Sequence, residues 1–358
     1  RKGLFRINKI IASGVCLINR IMMKYIRNIC GFCLFMSLIS CGPSGREKKG
    51  GSCEFDSIAA NPFVTHMFTA DPSAHVWEDG RLYVYASHDV NPPRGCDLMD
   101  RYHVFSTDDM VHWKDHGEIL NSSQVPWGRK EGGFMWAPDC AYKNGLYYFY
   151  FPHPSGDDWN NTWRVGIAVS QEPAANFKVL ESYLEMKGMA DDNFAMIDPC
   201  VFVDEDGQAY FYYGGGGRLV GARLKDNMIE LAEPLRFMEG LNDFHEAAWV
   251  HKYEGKYYLS YADNNKDADE RGANRLNYAV SDSPLGPWTY KGIYLQPTGC
   301  DTSHGSIVLY KGQWFAFYHN QALSGKGNLR SICVDRLYYA PDGSIQEVKQ
   351  SGMGTEKQ

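Results

Sequence analysis

The chain carries an imperfect five-fold repeat. A chain that repeats one supersecondary unit must either stack the copies or close them into a ring. The copies read D-P-S-A-H-V-W-E-D-G-R-L-Y-V-Y from Asp71, A-P-D-C-A-Y-K-N-G-L-Y-Y-F-Y from Ala137 and D-P-C-V-F-V-D-E-D-G-Q-A-Y-F-Y from Asp198. The last two read E-A-A-W-V-H-K-Y-E-G-K-Y-Y-L-S from Glu246 and H-G-S-I-V-L-Y-K-G-Q-W-F-A-F from His304. Each is a hydrophobic strand, a Gly-containing turn and a second, aromatic strand. Turn signals such as Glu78-Asp79-Gly80, Lys143-Asn144-Gly145, Asp204-Glu205-Asp206-Gly207, Glu254-Gly255 and Asp342-Gly343 read as hairpins.

Between the copies lie further strand-like runs, Tyr102–Ser106, Val165–Ser170 and Leu276–Ser281, which read as outer strands. Few long helices are expected between Asn61 and Val348. A unit of four short strands, repeated five times, predicts an all-β, five-bladed β-propeller with four-stranded blades around a central channel. A solenoid would need shorter and more regular repeats. A β-sandwich would alternate without equivalent polar starts.

Those polar starts matter for function. The innermost strand of a propeller blade lines the channel, so a residue that opens it is exposed at the channel mouth. Ring closure therefore brings Asp71, Asp198, Glu246 and His304 into one small volume. Glycosidic hydrolysis needs one carboxyl group to protonate the leaving oxygen and another to attack or to activate water. A third carboxylate nearby raises the acid's pKa by repulsion. Acids on different blades are spaced as water-mediated inversion requires. For each Asp-Pro, a turn or strand-start role is the alternative.

Composition narrows the field. With 358 residues, 44% of them hydrophobic, the chain can bury a large core. Its net charge of −7 comes without a basic cluster, so nucleic acid is not an expected partner. Residues 1–60 are of another kind. Met22 or Met23, Lys24 and Arg27 precede an apolar run from about Ile29 to Ile39, too short to span a bilayer, ending Leu38-Ile39-Ser40-Cys41. This resembles a bacterial lipobox, with Cys41 as lipidated N-terminus and Gly42–Ser52 as a tether. A simple signal peptide with a Cys near its end is the alternative. The expectation is an exported, monomeric lipoprotein, periplasmic or anchored to the outer membrane, touching membrane only through its lipid. Arg1–Ile21 lie upstream and are set aside, and residues 61–350 are assigned to the propeller. No two of the 10 cysteines sit at zinc-finger spacing. Cys140 and Cys200 fall inside strands and are expected as buried thiols.

Several stretches together resemble glycoside hydrolase family 43. They are Asn61-Pro62, Thr69-Ala70-Asp71-Pro72-Ser73, Tyr85-Ala86-Ser87-His88-Asp89, Met135-Trp136-Ala137-Pro138-Asp139, Ile197-Asp198-Pro199-Cys200-Val201-Phe202, Phe244-His245-Glu246-Ala247-Ala248-Trp249 and Thr302-Ser303-His304-Gly305-Ser306-Ile307-Val308. Any one alone is weak; jointly they cover Asn61 to Val348. The resemblance implies an inverting glycosidase of plant cell-wall pentosans, with Asp71 as general base, Glu246 as general acid and Asp198 tuning and orienting that acid. It implies no organic cofactor, but a calcium ion deep in the channel near His304. Calcium prefers oxygen ligands, so water would fill most of its shell; a channel His bonded to a carboxylate is the competing account.

The resemblance also offers Trp136 as a platform for a sugar ring, against a core Trp. Arg330 would reach toward the sugar, against a surface position. His88 and His245 flank key motifs, either at the substrate or as hydrogen-bonded structural residues. Tyr212-Tyr213-Gly214-Gly215-Gly216-Gly217 lacks the Lys and helix of a phosphate loop and reads as close backbone packing. The expected substrates are terminal α-L-arabinofuranosyl or β-D-xylosyl units of arabinan or xylan. Endo-acting arabinanase or xylanase action, and a non-catalytic sugar-binding propeller, are the alternatives. Sucrose- and fructan-cleaving propellers fit poorly at the acid motifs. The chain runs only briefly past the fifth copy, so the C-terminal β-sandwich of many family xylosidases is not expected, which favours an arabinose-directed role.

Overall fold

The computed structural model describes residues 55, 57–91, 95–158, 161–186, 196–263 and 274–352. All of them fall in the compact unit Ser52–Gln358. The export signal, Cys41 and the tether lie outside the described residues.

Nineteen strands form five antiparallel meanders, with neighbours in the chain as neighbours in the sheet. Blade one is β1 (Thr69–Val76), β2 (Leu82–His88), β3 (Arg101–Thr107) and β4 (Lys114–Asn121). Blade two is β5 (Asp139–Lys143), β6 (Leu146–Pro154), β7 (Trp163–Ser170) and β8 (Lys178–Val179). Blade three is β9 (Cys200–Val203), β10 (Ala209–Tyr213), β11 (Val220–Arg223) and β12 (Arg236–Phe237). Blade four is β13 (Phe244–Tyr253), β14 (Lys256–Asp263), β15 (Leu276–Ser281) and β16 (Thr289–Leu295). Blade five is β17 (Ser306–Tyr310), β18 (Gln313–Asn320) and β19 (Ser331–Leu337). The five repeat copies are thus the first two strands of each blade. Three of their hairpins close on two-residue turns with both φ angles positive, at Asn144-Gly145, Glu254-Gly255 and Lys311-Gly312. That turn geometry matches the twist of the flanking strands.

The inner strands close a ring: β1 contacts β5, β5 contacts β9, β9 contacts β13, β13 contacts β17, and β17 returns to β1. The cores lie between neighbouring sheets, because each sheet buries both faces. Tyr85 and Phe149 pack between blades one and two, Tyr150 and Phe211 between two and three, and Phe105 and Phe317 between five and one. Their aromatic bulk fills the wedge that opens between sheets radiating from one axis.

Blade five departs from the four-stranded expectation, with three strands among the described residues. The N-terminal segment covers its open edge. The Asn61 side chain donates to the Val334 carbonyl at 2.9 Å and accepts from the Val334 N–H at 2.9 Å, as a paired strand would. Phe63 N–H donates to the Ile332 carbonyl at 3.3 Å, and Thr69 N–H to the Arg330 carbonyl at 2.9 Å. An exposed edge of unpaired backbone groups is thereby blunted. These contacts begin ahead of residue 61, since Phe55 stacks on Tyr310 with ring centres 5.7 Å apart. Cys140 and Cys200 are buried free thiols, as expected, and so are Cys300 and Cys333.

Candidate active site

Three carboxyl groups reach one cavity because the backbone is irregular where each sits. The β1–β2 register shifts between Ala70 and Ser73, and Asp71 takes a φ of 54°. The β13–β14 register shifts between Phe244 and Glu246 and again between Glu246 and Trp249, and Ala247 has a φ of 65°. Asp198 stands just ahead of β9 at a φ of 53°. Bulges and left-handed residues re-aim side chains at the cost of ladder bonds and about 1–3 kcal/mol each. Ring closure then converges the three on a cavity of about 240 Å³ that also takes in Asp89, Cys96, Trp136, His304 and Arg330.

The carboxyl groups differ in environment. Asp71 is 5% exposed. It accepts from Arg330 Nη1 at 2.9 Å and from Ser87 Oγ at 2.9 Å. Burial opposes its charge, but Arg330, His319, His304 and Ser87 together hold its pKa below the ordinary value. Burial, then the charges of Glu246 and Asp71, push Asp198 well above the usual range. Its Oδ2 accepts the Ala247 N–H at 2.8 Å. Glu246 is raised to about 7, by burial and by Asp71 against the pull of Arg330. The site therefore holds one carboxylate that favours its charge beside two that resist theirs.

Residues 59–345 match the family model described as glycosyl hydrolases family 43. The chain belongs to that family. It is 37% identical to a xylosidase/arabinosidase 43A of Humicola insolens, over 79% of this chain and 98% of that protein. It is 36% identical to a xylosidase/arabinosidase of Bacteroides ovatus, over 78% of this chain and 94% of that one. A GH43 β-xylosidase/α-arabinofuranosidase from a compost metagenome, solved with xylotriose in a calcium-free form, superposes with a TM-score of 0.71 at 34% identity. That likeness covers 80% of this chain and 96% of that structure. This family 43 chain is a glycosidase.

Trp136 stands half-buried in the wall of the family 43 cavity, its indole N–H donating to the Cys96 carbonyl at 2.7 Å. Arg330 is buried, which rules out the surface position. It grips Asp89 with two hydrogen bonds of 2.9 and 2.8 Å while Nη1 reaches Asp71 and Thr302. His88 and His245 are not among the residues lining the cavity. His88 pairs with Asp100 at 3.4 Å, and His245 Nε2 lies 3.7 Å from Glu246 Oε2.

His304 is 8% exposed at the cavity floor, its Nδ1 3.9 Å from Asp198 Oδ2. Among the described residues, no three His, Cys, Asp or Glu side chains gather to hold a metal. An imidazole beside one carboxylate does not fit the oxygen-rich shell of calcium, so no chemical step is routed through that ion.

Sequence reasoning missed Asp89, Thr302 and His319. His319 is fully buried, accepts the Asp71 N–H on Nδ1 at 3.2 Å and bonds the Thr302 carbonyl through Nε2 at 2.9 Å. Burial, aided by Arg330, lowers its pKa to about 4, so it is neutral and Nε2 carries the proton. The glycine run packs closely, as expected. Gly214 N–H donates to the Ile197 carbonyl at 3.0 Å, and a Cβ on Gly215 would sit 2.5 Å from Ile197 Cδ1. This seats Ile197, the residue before Asp198.

Proposed function

We propose that the chain is an inverting, exo-acting glycosidase that releases terminal β-D-xylosyl or α-L-arabinofuranosyl units from xylan- or arabinan-derived oligosaccharides. The observation that carries this is the convergence of Asp71, Asp198 and Glu246 on one cavity with opposed protonation preferences. Relatives named for both xylosidase and arabinosidase activity support the pentose class. The small cavity supports attack on one terminal sugar, since clefts for larger ligands run from about 300 to 1,000 Å³.

In this mechanism Asp71, held ionised by Arg330, takes a proton from a water that attacks the anomeric carbon. Glu246 gives its proton to the leaving oxygen from the other side of the sugar. Asp71 and Glu246 come from blades one and four, which are not neighbours in the ring, leaving room for the water that inversion needs. Asp198 and Glu246 together keep a proton near neutral pH. The Ala247 N–H stabilises the anion on Asp198, so Glu246 is the carboxyl that carries that proton. Trp136 offers its face to the sugar. The neutral sugar leaves with inverted configuration; Asp71 then sheds its proton and Glu246 regains one.

The test is hydrolysis of a nitrophenyl pentoside panel by the wild type, Asp71→Asn and Glu246→Gln, with the product anomer followed by NMR. Loss of at least about 100-fold in kcat for each variant is expected on substrates that need both groups. Wild-type rates in both variants would overturn the assignment. We also propose export as a lipoprotein through Cys41. A Cys41→Ala protein that still partitions with membranes would refute that.

A further inference from the structure

Four blades open with a polar residue at the channel mouth, whereas blade two opens with Ala137. Its first polar side chain comes two residues later, at Asp139, and points sideways between blades. Asp139 is 1% exposed, and its carboxylate is held by four contacts. Oδ1 accepts from Ser73 Oγ at 2.7 Å and from the Cys140 N–H at 2.7 Å, and pairs with His75 Nε2 at 2.7 Å. Oδ2 accepts the Val201 N–H at 2.6 Å. Ser73 follows Asp71 by two residues on β1, and Val201 follows Asp198 by three on β9. One carboxylate thus grips both strands that carry an aspartate of the site.

The other joints of the ring are fastened differently. Blade three meets blade four through the Ala247 N–H and Asp198 itself. Blade four meets blade five through the Trp249 indole N–H and the Ile307 carbonyl at 3.0 Å. Blade five meets blade one through Ser306 Oγ, which donates to the Pro72 carbonyl at 2.7 Å and accepts the Ala74 N–H at 3.1 Å. Only at Asp139 does a single side chain bridge three blades among these ties.

We propose that Asp139 is a positioning residue for the hydrolytic site, a clamp that sets the separation of Asp71 from Asp198 without touching the sugar. This rests on the glycosidase reading above. An ionised carboxylate can accept from both strands at once. An amide of the same shape cannot, because its NH₂ must face a donor on one side or the other. The clamp therefore needs the charge, not only the volume.

The test compares Asp139→Asn and Ser73→Ala with the wild type on an aryl pentoside, alongside near-UV circular dichroism and melting curves. Ser73→Ala frees blade one alone and serves if Asp139→Asn does not fold. Misplacing reacting groups by about 1 Å costs on the order of 100-fold. The expected result is a kcat lowered roughly 10- to 100-fold with KM within about twofold, in folded protein. The inference is overturned if the folded variants keep the wild-type kcat. It is equally overturned if activity falls only in step with the folded fraction, or if neither variant folds, since a role in the fold then suffices. A wild type inert on every pentoside sinks the glycosidase reading, and this inference with it.

Discussion

Glu246→Gln should make the protein inactive and, at alkaline pH, more stable. The carboxyl is raised from an ordinary 4.5 to about 7, chiefly by burial. Below pH 4.5 it is protonated in both folded and unfolded chains and contributes no difference. Between pH 4.5 and 7 the unfolded chain releases the proton while the native state keeps it, so stability falls as pH rises. Above both values the native state carries a charge in a site that resists it, a loss of about 3 kcal/mol. Gln has nearly the same shape and no charge, so the variant escapes that loss. In a domain of this size about 3 kcal/mol corresponds to roughly 5 °C or more in melting temperature. The assay is urea unfolding of wild type and variant at pH 4.5 and pH 8. The gain should appear at pH 8 and be absent at pH 4.5. If Glu246→Gln is destabilised equally at both, the carboxyl is not held up by its surroundings, and its role as proton donor loses its physical basis.

Other perturbations address the remaining parts of the site. Arg330→Lys keeps a positive charge but loses the planar fork shared by Asp89, Asp71 and Thr302. The Asp71 pKa should rise, moving the acid limb of kcat/KM to higher pH; an unmoved limb would detach Arg330 from Asp71's ionisation. Gly215→Ala should press on Ile197 and destabilise the protein by about 1–3 kcal/mol, with part recovered on adding Ile197→Val; a neutral Gly215→Ala in a denaturant titration would contradict the packing described. Trp136→Ala should raise KM more than it lowers kcat, as loss of uniform binding does; an unchanged KM would remove the indole from the sugar's path.

The fold was legible because each repeat copy states its strands and its turn in adjacent residues. The acids were legible because each breaks the apolar pattern at the same offset. Arg330, Asp89 and His319 were harder. They lie at the ends of second and third strands or within them, and only the folding of each blade and the closing of the ring bring them to Asp71. Nothing local marks His319 as a partner of a residue 248 positions away. His88 and His245 mislead for the opposite reason, since neighbours of a motif in sequence can face away from it in a strand. The third-strand edge of blade five was equally hidden, because Asn61 imitates a strand with one side chain.

That imitation has a consequence for how the molecule is made. Asn61 leaves the ribosome long before Val334, 273 positions later, so the seam between the two can form only when synthesis is nearly done. Until then the first blade waits with one flank bare. Shortening the chain from its front past Phe55 would remove the latch from a circle whose wall is otherwise whole.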